Sequence, residues 1–436
     1  MSYQHFPWRR IIVILLISIF YWSGVSRVPF HPDETTQIYM SSDFELFFQN
    51  PLSLAWQPDE PLSSRMQYRL LDAPLTRMAI GLGRFLTRQT ALAKDWNWSE
   101  TWQANQANHA LPDAKLLLIS RLSTAWVFPL SLLLIFLIGE RIGGQPAGWV
   151  SMLLFASNAL ILLHTRRAMA EGFLAFTILL FLKEITNQTS KEWRLGCISA
   201  LAVCAKQSTV VLFIIGLLYV FINHKDMRAS IGNRFTKATI FSGIFLALFF
   251  FFNPFLWSHP ISALQASVNE RNNLLSRQIE TIAAASPNMA LQTYSQRSAG
   301  LIARLFLSAP AIEDIRNYHE DLFPVASAYL SSPLNRLFTG LYWGVGMLFL
   351  TLSGAALAIR QAISPKTPLE RRIILAVVLA TGVLQLAALN IAVSLPFQRY
   401  SIPLVPYVCL WSALCVTTLL ELVKKSILIK KGINTR

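Results

Sequence analysis

Long apolar segments, separated by mostly short polar connections, restrict what this chain can fold into. A bilayer core about 30 Å thick is crossed by a helix of about 20 apolar residues. Ten segments approach this composition and length, near residues 11–28, 115–139, 146–164, 168–186, 194–205, 207–223, 237–256, 336–359, 373–393 and 401–423. The pattern predicts an all-α polytopic membrane protein, a bundle of about ten transmembrane helices in a single domain over residues 1–436.

The composition fits a chain whose main solvent is lipid. Hydrophobic residues make up 53% of the sequence and charged residues 14%, whereas soluble domains carry about 25% charged residues. The net charge of +15 comes largely from Lys and Arg in alternate connections, a distribution that marks cytoplasmic segments. These positions include Arg9, Arg10, Lys225, Arg228, Arg371, Lys424 and Arg436. We therefore expect both termini in the cytoplasm, a bacterial cytoplasmic (inner) membrane location, and no nucleic-acid partner.

Two connections are much longer than the others, and this topology places both outside the cytoplasm. Residues 29–114 form the first extracytoplasmic loop and residues 257–335 the second. Loops of this length usually carry function or structure of their own. The first mixes apolar residues with arginines over 65–88, and the second has apolar stretches at 274–282 and 301–307. Both are expected to carry amphipathic helices that lie on the outer membrane surface.

An acidic motif, His31-Pro32-Asp33-Glu34, directly follows the first apolar segment. Burial near a membrane raises the pKa of a carboxyl group and a nearby cation lowers it, so such a group can be tuned as a general base. The alternative is structural, with Pro32 starting an interfacial helix whose first turn Asp33 caps. The local sequence supports both interpretations equally.

A basic motif, His164-Thr165-Arg166-Arg167, stands at the outer junction of the third and fourth segments, with Glu171 one turn further on. Arginines on the outer side run against the usual charge distribution. Phosphate recognition by planar guanidinium groups would explain them. The alternative is contact with lipid headgroups combined with an arginine pair to Glu171.

Three further cationic positions lie near the same face. Lys206 separates two short apolar segments, 194–205 and 207–223, which suggests a broken helix around a polar cavity. Arg399-Tyr400 precedes the last segment, and Arg121 enters the second. Acidic residues and cations that are remote in sequence therefore share one membrane level. A base opposite cations suits group transfer with a phosphate leaving group, because the cations neutralise the departing oxygen.

Five motifs in this order resemble the GT-C glycosyltransferase superfamily, specifically the branch of protein O-mannosyltransferases and bacterial aminoarabinose transferases for lipid A. They are Pro32-Asp33-Glu34, the run from Arg121 through Gly139–Gly144, Arg166–Glu171, Asn253–Trp257 and Arg399–Pro403. The resemblance covers most of residues 1–423. It implies a GT-C-type bundle that moves a sugar from a polyprenyl-phosphate-linked donor to an unknown protein, lipid or glycan acceptor on the extracytoplasmic side.

The resemblance also implies roles for single residues. Asp33 would deprotonate the acceptor as general base, with Glu34 assisting, in a single displacement that inverts the anomeric carbon. The donor phosphate would be bound by Arg166, Arg167, Lys206 and Arg399. Residues that bind or orient the substrates would be Glu171, His31, Arg121 and Tyr400. Membrane lipids are expected as further partners.

Other interpretations of the same residues stay open. No cofactor is firmly predicted, since the outer histidines lack tight ligand spacing; the alternative is a divalent metal held by His31, His164 and His259. A transporter or flippase of a polyprenyl-linked substrate would also use membrane cations, although no repeated halves are evident. A lipid-binding subunit without catalysis is the third interpretation, and it requires that Asp33 be dispensable.

Overall fold

The chain is described here by a computed structural model over residues 8–187, 190–222, 230–285, 291–314, 318–392, 394–395 and 397–430. Within these ranges the chain forms α-helices and short 3-10 or π turns, without a β-strand. The all-α prediction is therefore confirmed for this part of the chain. The basic residues Lys225, Arg228 and Arg436, which the topology prediction uses, lie outside these ranges.

Nineteen α-helices follow one another in the described residues. They are α1 (Trp8–Ser23), α2 (Pro32–Met40), α3 (Asp43–Gln49), α4 (Ser64–Leu71), α5 (Leu75–Thr87), α6 (Trp102–Ala107), α7 (Ala114–Ala125), α8 (Phe128–Ser157), α9 (Ala159–His164), α10 (Glu171–Ile185), α11 (Glu192–Ala205), α12 (Val210–Ile222), α13 (Ile231–Phe252), α14 (Pro260–Ala285), α15 (Tyr294–Ile302), α16 (His319–Ser331), α17 (Leu341–Ile363), α18 (Leu369–Ala392) and α19 (Val405–Lys430).

Five helical segments of the described chain are long and apolar enough to cross a membrane: Ala114–Ser157, Ile231–Phe252, Leu341–Ile363, Leu369–Ala392 and Gln398–Leu428. The segment Gln207–Ile222 is apolar but shorter. Four other predicted segments contain α1, α10, α11 and α12, which are 13 to 16 residues long. The chain is thus a helical membrane protein, and the count of ten crossings stays a prediction.

The longest of these segments, Ala114–Ser157, folds back on itself, because a turn inside α8 divides that helix into two arms. The chain reverses at Gly143 and Gly144, where Gly144 takes a φ of 80° that residues with a Cβ atom adopt only with strain. Beyond the turn, Ser151 Oγ donates to the Ile135 carbonyl over 3.3 Å. A straight helix would separate these two residues by about 24 Å. The two apolar segments predicted at 115–139 and 146–164 therefore lie side by side and antiparallel.

The last helix forms the centre of the bundle. Helix α19 packs against both α8 and α17. In the apolar window of Gln398–Leu428, 83% of the residues are buried inside the protein, against 11% for α13. Helix α13 instead presents its apolar side chains outward, as expected for a helix that contacts lipid.

The first predicted loop carries an amphipathic helix whose arginines face inward. Arg77 and Arg84 of α5 are buried and form ion pairs with Asp43 at 3.2 Å and Glu45 at 2.9 Å. The opposite face of α5 exposes Leu82, Phe85 and Leu86. A helix with paired charges inside and apolar side chains outside suits a lipid surface. In the second loop, the predicted stretch 274–282 belongs to the longer helix α14, and 301–307 belongs to α15 and a π turn.

Candidate active site

The acidic motif forms the beginning of α2, and His31 caps it. The Asp33 amide donates to His31 Nδ1 over 3.1 Å, and the His31 amide donates to Glu34 Oε1 over 3.0 Å. Pro32 occupies the first turn, where a missing amide hydrogen costs nothing. Because the imidazole does the capping, the Asp33 carboxylate is not used as a cap. Its side chain is 30% exposed.

Glu34 is fully buried at 0% exposure and its two oxygens are saturated. Arg121 donates to them over 2.7 and 2.8 Å, and the Ala168 amide donates over 2.9 Å. Burial raises the pKa of Glu34, but Arg121, Arg167 and the Ala168 amide together outweigh burial, so the net pKa is lowered. Arg121 also donates to the carbonyls of Val25 and Val28. This pair therefore connects the start of the first loop to α7 and to the chain before α10.

Arg166 and Arg167 are also buried and donate to backbone carbonyls, although Arg167 Nη1 has no hydrogen-bond partner in the described part of the chain. Arg166 Nε donates to the Tyr21 carbonyl over 3.0 Å, and the guanidinium lies 5.0 Å from the centre of the Tyr21 ring. Arg167 donates to the carbonyls of Pro29 over 3.0 Å and Ile312 over 2.6 Å. Both arginines therefore hold the segment that leaves α1, and Arg167 also ties it to the second loop.

Arg399 reaches Asp33 from the turn before α19. One of its terminal nitrogens contacts the Asp33 carboxylate, and the other lies 3.1 Å from Asp314 Oδ2. His31 Nε2 lies 3.2 Å from the same oxygen of Asp314. His31 Nδ1 accepts from the Asp33 amide, and Nε2 is the ring nitrogen that faces Asp314. Four side chains from three distant segments thus form one cluster.

Asp314 was not identified from the sequence. It lies in the second predicted loop, 6% exposed in its side chain, and the only local signal is an acidic pair, Glu313-Asp314, in an otherwise apolar stretch. Burial raises the pKa of Asp314, but Arg399 and His31 lower it by more. The pKa therefore stays well below the ordinary value of an aspartate side chain. Asp33 behaves in the same way, with Arg399 and His31 overcoming burial to lower its pKa. Both carboxylates are therefore ionised at neutral pH.

Lys206 lies beside this cluster at a break between two helices. Helix α11 ends at Ala205, Lys206 takes an extended conformation, and a 3-10 turn leads into α12, as the sequence predicts. Its Nζ donates to Glu171 Oε1 over 2.6 Å and lies 5.3 Å from the centre of the Tyr400 ring. The Lys206 side chain keeps 23% exposure. Glu171, Lys206 and Tyr400 are thus brought together.

A further cation, Arg271 of α14, reaches the same region and was missed in the sequence. Its guanidinium contacts the Leu71 carbonyl, and lies 3.3 Å from Gln207 Oε1 and 3.9 Å from Asp72 Oδ1. The Arg271 side chain is 45% exposed. Burial, although opposed by Arg271, raises the pKa of Asp72. Arg271 is therefore the most exposed of the cations around this site.

The predicted alternative metal ligands are not grouped. His164 is buried, while His259 is exposed just before α14. Within the described residues, no group of three or more His, Cys, Asp or Glu side chains is placed to hold a metal ion. His259 thus stands apart from the cluster around Asp33, whereas His31 belongs to it and the buried His164 lies close enough to interact electrostatically with Arg399 and Asp314.

The sequence matches neither a protein-family model nor a curated protein. Three solved structures with a similar fold are of an oligosaccharyltransferase from Archaeoglobus fulgidus. The structure of AglB with an inhibitory peptide and a dolichol-phosphate and the apo structure both give a TM-score of 0.53 at 11% identity, covering 100% of this chain and 53% of theirs. The complex with Zn and sulfate gives 0.52 at 12% identity, covering 97% and 51%.

The chain spans about half the length of the structures it matches. Nearly all of this chain takes part in the match, including the apolar bundle and the loops that carry Asp33 and Asp314. The resemblance noted in the sequence and the similarity of structure therefore agree on one superfamily architecture. The chain has the fold of the GT-C glycosyltransferases, the superfamily that includes the oligosaccharyltransferases.

Proposed function

We propose that this protein is a membrane glycosyltransferase that moves a sugar from a polyprenyl-phosphate-linked donor to an acceptor, with Asp33 as general base. The observation that carries the proposal is the setting of Asp33: a partly exposed, ionised carboxylate at the start of a capped helix, oriented by Arg399. Its neighbour Glu34 has no free oxygen, so we assign it a structural role.

The reaction requires a base on one side of the sugar and cations on the other. Asp33 accepts the proton of the acceptor nucleophile while that atom bonds to the anomeric carbon. The bond from the anomeric carbon to the phosphate oxygen breaks, and the oxygen keeps the electron pair. One displacement of this kind inverts the anomeric carbon. A carboxylate with a lowered pKa is fully ionised before the reaction and gains the proton only as the new bond forms.

We assign the leaving phosphate to Lys206 and Arg271, and we give Arg399, whose terminal nitrogens contact Asp33 and Asp314, the role of orienting the base. Lys206 has three hydrogens, one of which goes to Glu171, so the others are available to a ligand. Arg271 is half-exposed and its nearest carboxylate oxygen is 3.9 Å away. Arg166 and Arg167, which the sequence also suggested, already donate to backbone carbonyls. The exposed cations are therefore better placed to neutralise a departing phosphate.

A divalent metal does not fit the residues around Asp33. A similar fold was crystallised with Zn and sulfate, but here the guanidinium of Arg399 lies between the carboxylates of Asp33 and Asp314. His31 Nδ1 already accepts from the Asp33 amide, so this nitrogen offers no lone pair to a metal. A metal would have to displace Arg399, and we derive no step through one.

The membrane setting follows the predicted topology. We place the site on the extracytoplasmic side of a bacterial cytoplasmic membrane, with both termini inside. The similar oligosaccharyltransferase binds a dolichol-phosphate and an inhibitory peptide, and an acceptor peptide in another complex. This similarity of fold supports our proposal of a polyprenyl-phosphate donor for this chain, with a protein, a lipid or a glycan as acceptor.

The test compares the glycoconjugates of cells that contain the protein, lack it, or contain the Asp33→Asn variant. Mass spectrometry should show one sugar modification that is absent without the protein and is not restored by the variant. The modified molecule identifies the sugar and the acceptor together. Identical glycoconjugate profiles in all three strains, with the wild-type protein present in the membrane, would contradict the proposal.

A further inference from the structure

A polar cavity lies at the end of the bundle opposite to Asp33. It has a volume of about 270 Å³ and is lined by the hairpin turn at Gly143, the connection between α17 and α18, and the second half of α19. Arg121, which holds Glu34 near the site, begins the same hairpin arm that ends at Gly143. At a rise of about 1.5 Å per residue, that arm separates the two ends by about 30 Å. The cavity is therefore distinct from the candidate active site.

The cavity wall combines cations with polar atoms that lack protein partners. Lys366 and Arg371 line it, as does Gln361. Arg371 Nε and Gln361 Oε1 are both buried and make no hydrogen bond to the protein. One carboxylate, that of Glu421, also lines the cavity. Two cations against one carboxylate leave a positive balance, and buried polar atoms without partners favour a bound ligand.

The start of α18 adds to the positive character. Thr367 and Pro368 line the cavity, and α18 begins at Leu369. The first amide groups of a helix have no partner within it and carry a partial positive charge. A helix start together with an arginine and a lysine is an arrangement that binds phosphate groups.

The position of the cavity indicates which kind of molecule could supply a phosphate group to it. Its walls belong to α17, α18 and α19, whose segments are all long and apolar enough to cross a membrane. The cavity lies at their ends, where a bilayer places its headgroups. Lys366 is exposed there, as expected for a lysine that reaches the headgroup level.

We propose that this cavity binds the phosphate group of an anionic molecule at the membrane surface opposite to the active site, with Arg371 and Lys366 as its ligands. The headgroup of an anionic phospholipid is the source that the geometry favours, and a soluble phosphate shares the same chemistry. Gln361 and Arg371 supply the directed polar contacts, while Lys366 supplies charge. The site is independent of the sugar donor, whose phosphate lies at the other end of the bundle.

The test measures lipid binding by the purified full chain in neutral detergent, by native mass spectrometry. The probes are phosphatidylglycerol, phosphatidylcholine as the neutral lipid, and inorganic phosphate as competitor. We expect phosphatidylglycerol to bind at least about tenfold more tightly than phosphatidylcholine, and the variant Lys366→Gln with Arg371→Gln to lose this preference. Release of phosphatidylglycerol by millimolar phosphate would identify a soluble phosphate as an alternative occupant of the same site.

Two further variants keep the result interpretable. Arg372→Gln is the matched control, because Arg372 donates to the Ala362 carbonyl over 2.9 Å and does not line the cavity; it should bind phosphatidylglycerol as the wild type does. Lys366→Glu changes only an exposed residue, so it should fold and still weaken binding. Equal affinity for the two lipids, or an unchanged preference in both cavity variants, would overturn the proposal.

Discussion

His31 Nε2 and Asp314 Oδ2 lie 3.2 Å apart, although the two residues belong to different predicted loops that are far apart in the sequence. The contact holds the second loop against the helix start that carries Asp33. Arg399 reinforces it by contacting Asp314 and Asp33 together. The candidate active site is thus assembled by ion pairs between segments that only the folded bundle brings together.

The first prediction concerns the general base. Asp33→Asn should lower transfer by about 10²- to 10⁴-fold, because an amide cannot accept the proton of the acceptor. Binding of the polyprenyl-phosphate sugar should persist, since Asp33 does not contact the leaving phosphate in the proposed reaction. Turnover of purified protein and donor binding are the two measurements. Asp59→Asn, an exposed carboxylate in the same loop, is the control, and near-normal turnover for Asp33→Asn would remove the role from Asp33.

The second prediction concerns the fork of Arg399. Arg399→Lys keeps the charge but cannot contact Asp33 and Asp314 with two nitrogens in one plane. We expect a loss of turnover of at least about tenfold at unchanged expression, since charge-assisted pairs of this kind exceed the 0 to about 1 kcal/mol of surface pairs. Arg297→Lys, at an arginine that bonds backbone carbonyls, should be active. Wild-type turnover in Arg399→Lys would refute the two-carboxylate role.

The third prediction separates donor binding from chemistry. Arg271→Gln should raise KM for the donor more than it lowers kcat if Arg271 binds the phosphate before and during the reaction alike. Arg277→Gln is a matched control on the same helix, because Arg277 is exposed and donates to a backbone carbonyl within α14. Equal KM values for Arg271→Gln and the wild type would exclude Arg271 from the phosphate site and leave Lys206.

The sequence indicated several residues of the candidate site but not Asp314, which completes the cluster around Asp33. The order of the apolar segments predicts the hairpin turn at Gly143, because two apolar runs flank it. The short runs on either side of Lys206 predict the helix break. Asp314 had no such signal, since an acidic residue in a long loop gains meaning only when the loop folds back onto α2.

Arg166 and Arg167 show a second limit of prediction from the sequence. Position at the outer face suggested phosphate binding for Arg166 and Arg167, and both arginines do lie next to the first loop. Their side chains point to the carbonyls of Tyr21, Pro29 and Ile312. Whether a guanidinium faces a ligand or the backbone depends on what covers it, and here the covering segments are remote in sequence.

The fourth prediction concerns the stability of the protein at acid pH and the buried ion pair between Glu34 and Arg121. Glu34, Asp33 and Asp314 all have lowered pKa values in the folded protein. Their contribution to stability is therefore complete above the unfolded values of about 4 and is lost as the pH falls through the lower, folded values. The share of the stability that these three carboxylates supply should therefore be lost only as the pH falls below about 4. Glu34→Gln should lose about 3–5 kcal/mol at pH 7, because Arg121 stays buried without its partner; a melting temperature equal to that of the wild type would contradict this.

The last prediction concerns metal dependence. Because Arg399 lies between the carboxylates of Asp33 and Asp314, the positive charge that a divalent cation would supply is already provided by a side chain. Transfer by purified protein should therefore persist after dialysis against EDTA, and added Zn²⁺, Mg²⁺ or Mn²⁺ should not raise it. Metal content measured by mass spectrometry on the same sample verifies removal. Arg399→Ala gives the matched comparison, since it frees the two carboxylates and should lose transfer with or without chelator. Loss of wild-type transfer on chelation, with recovery on adding back one cation, would show that a metal displaces Arg399 during turnover.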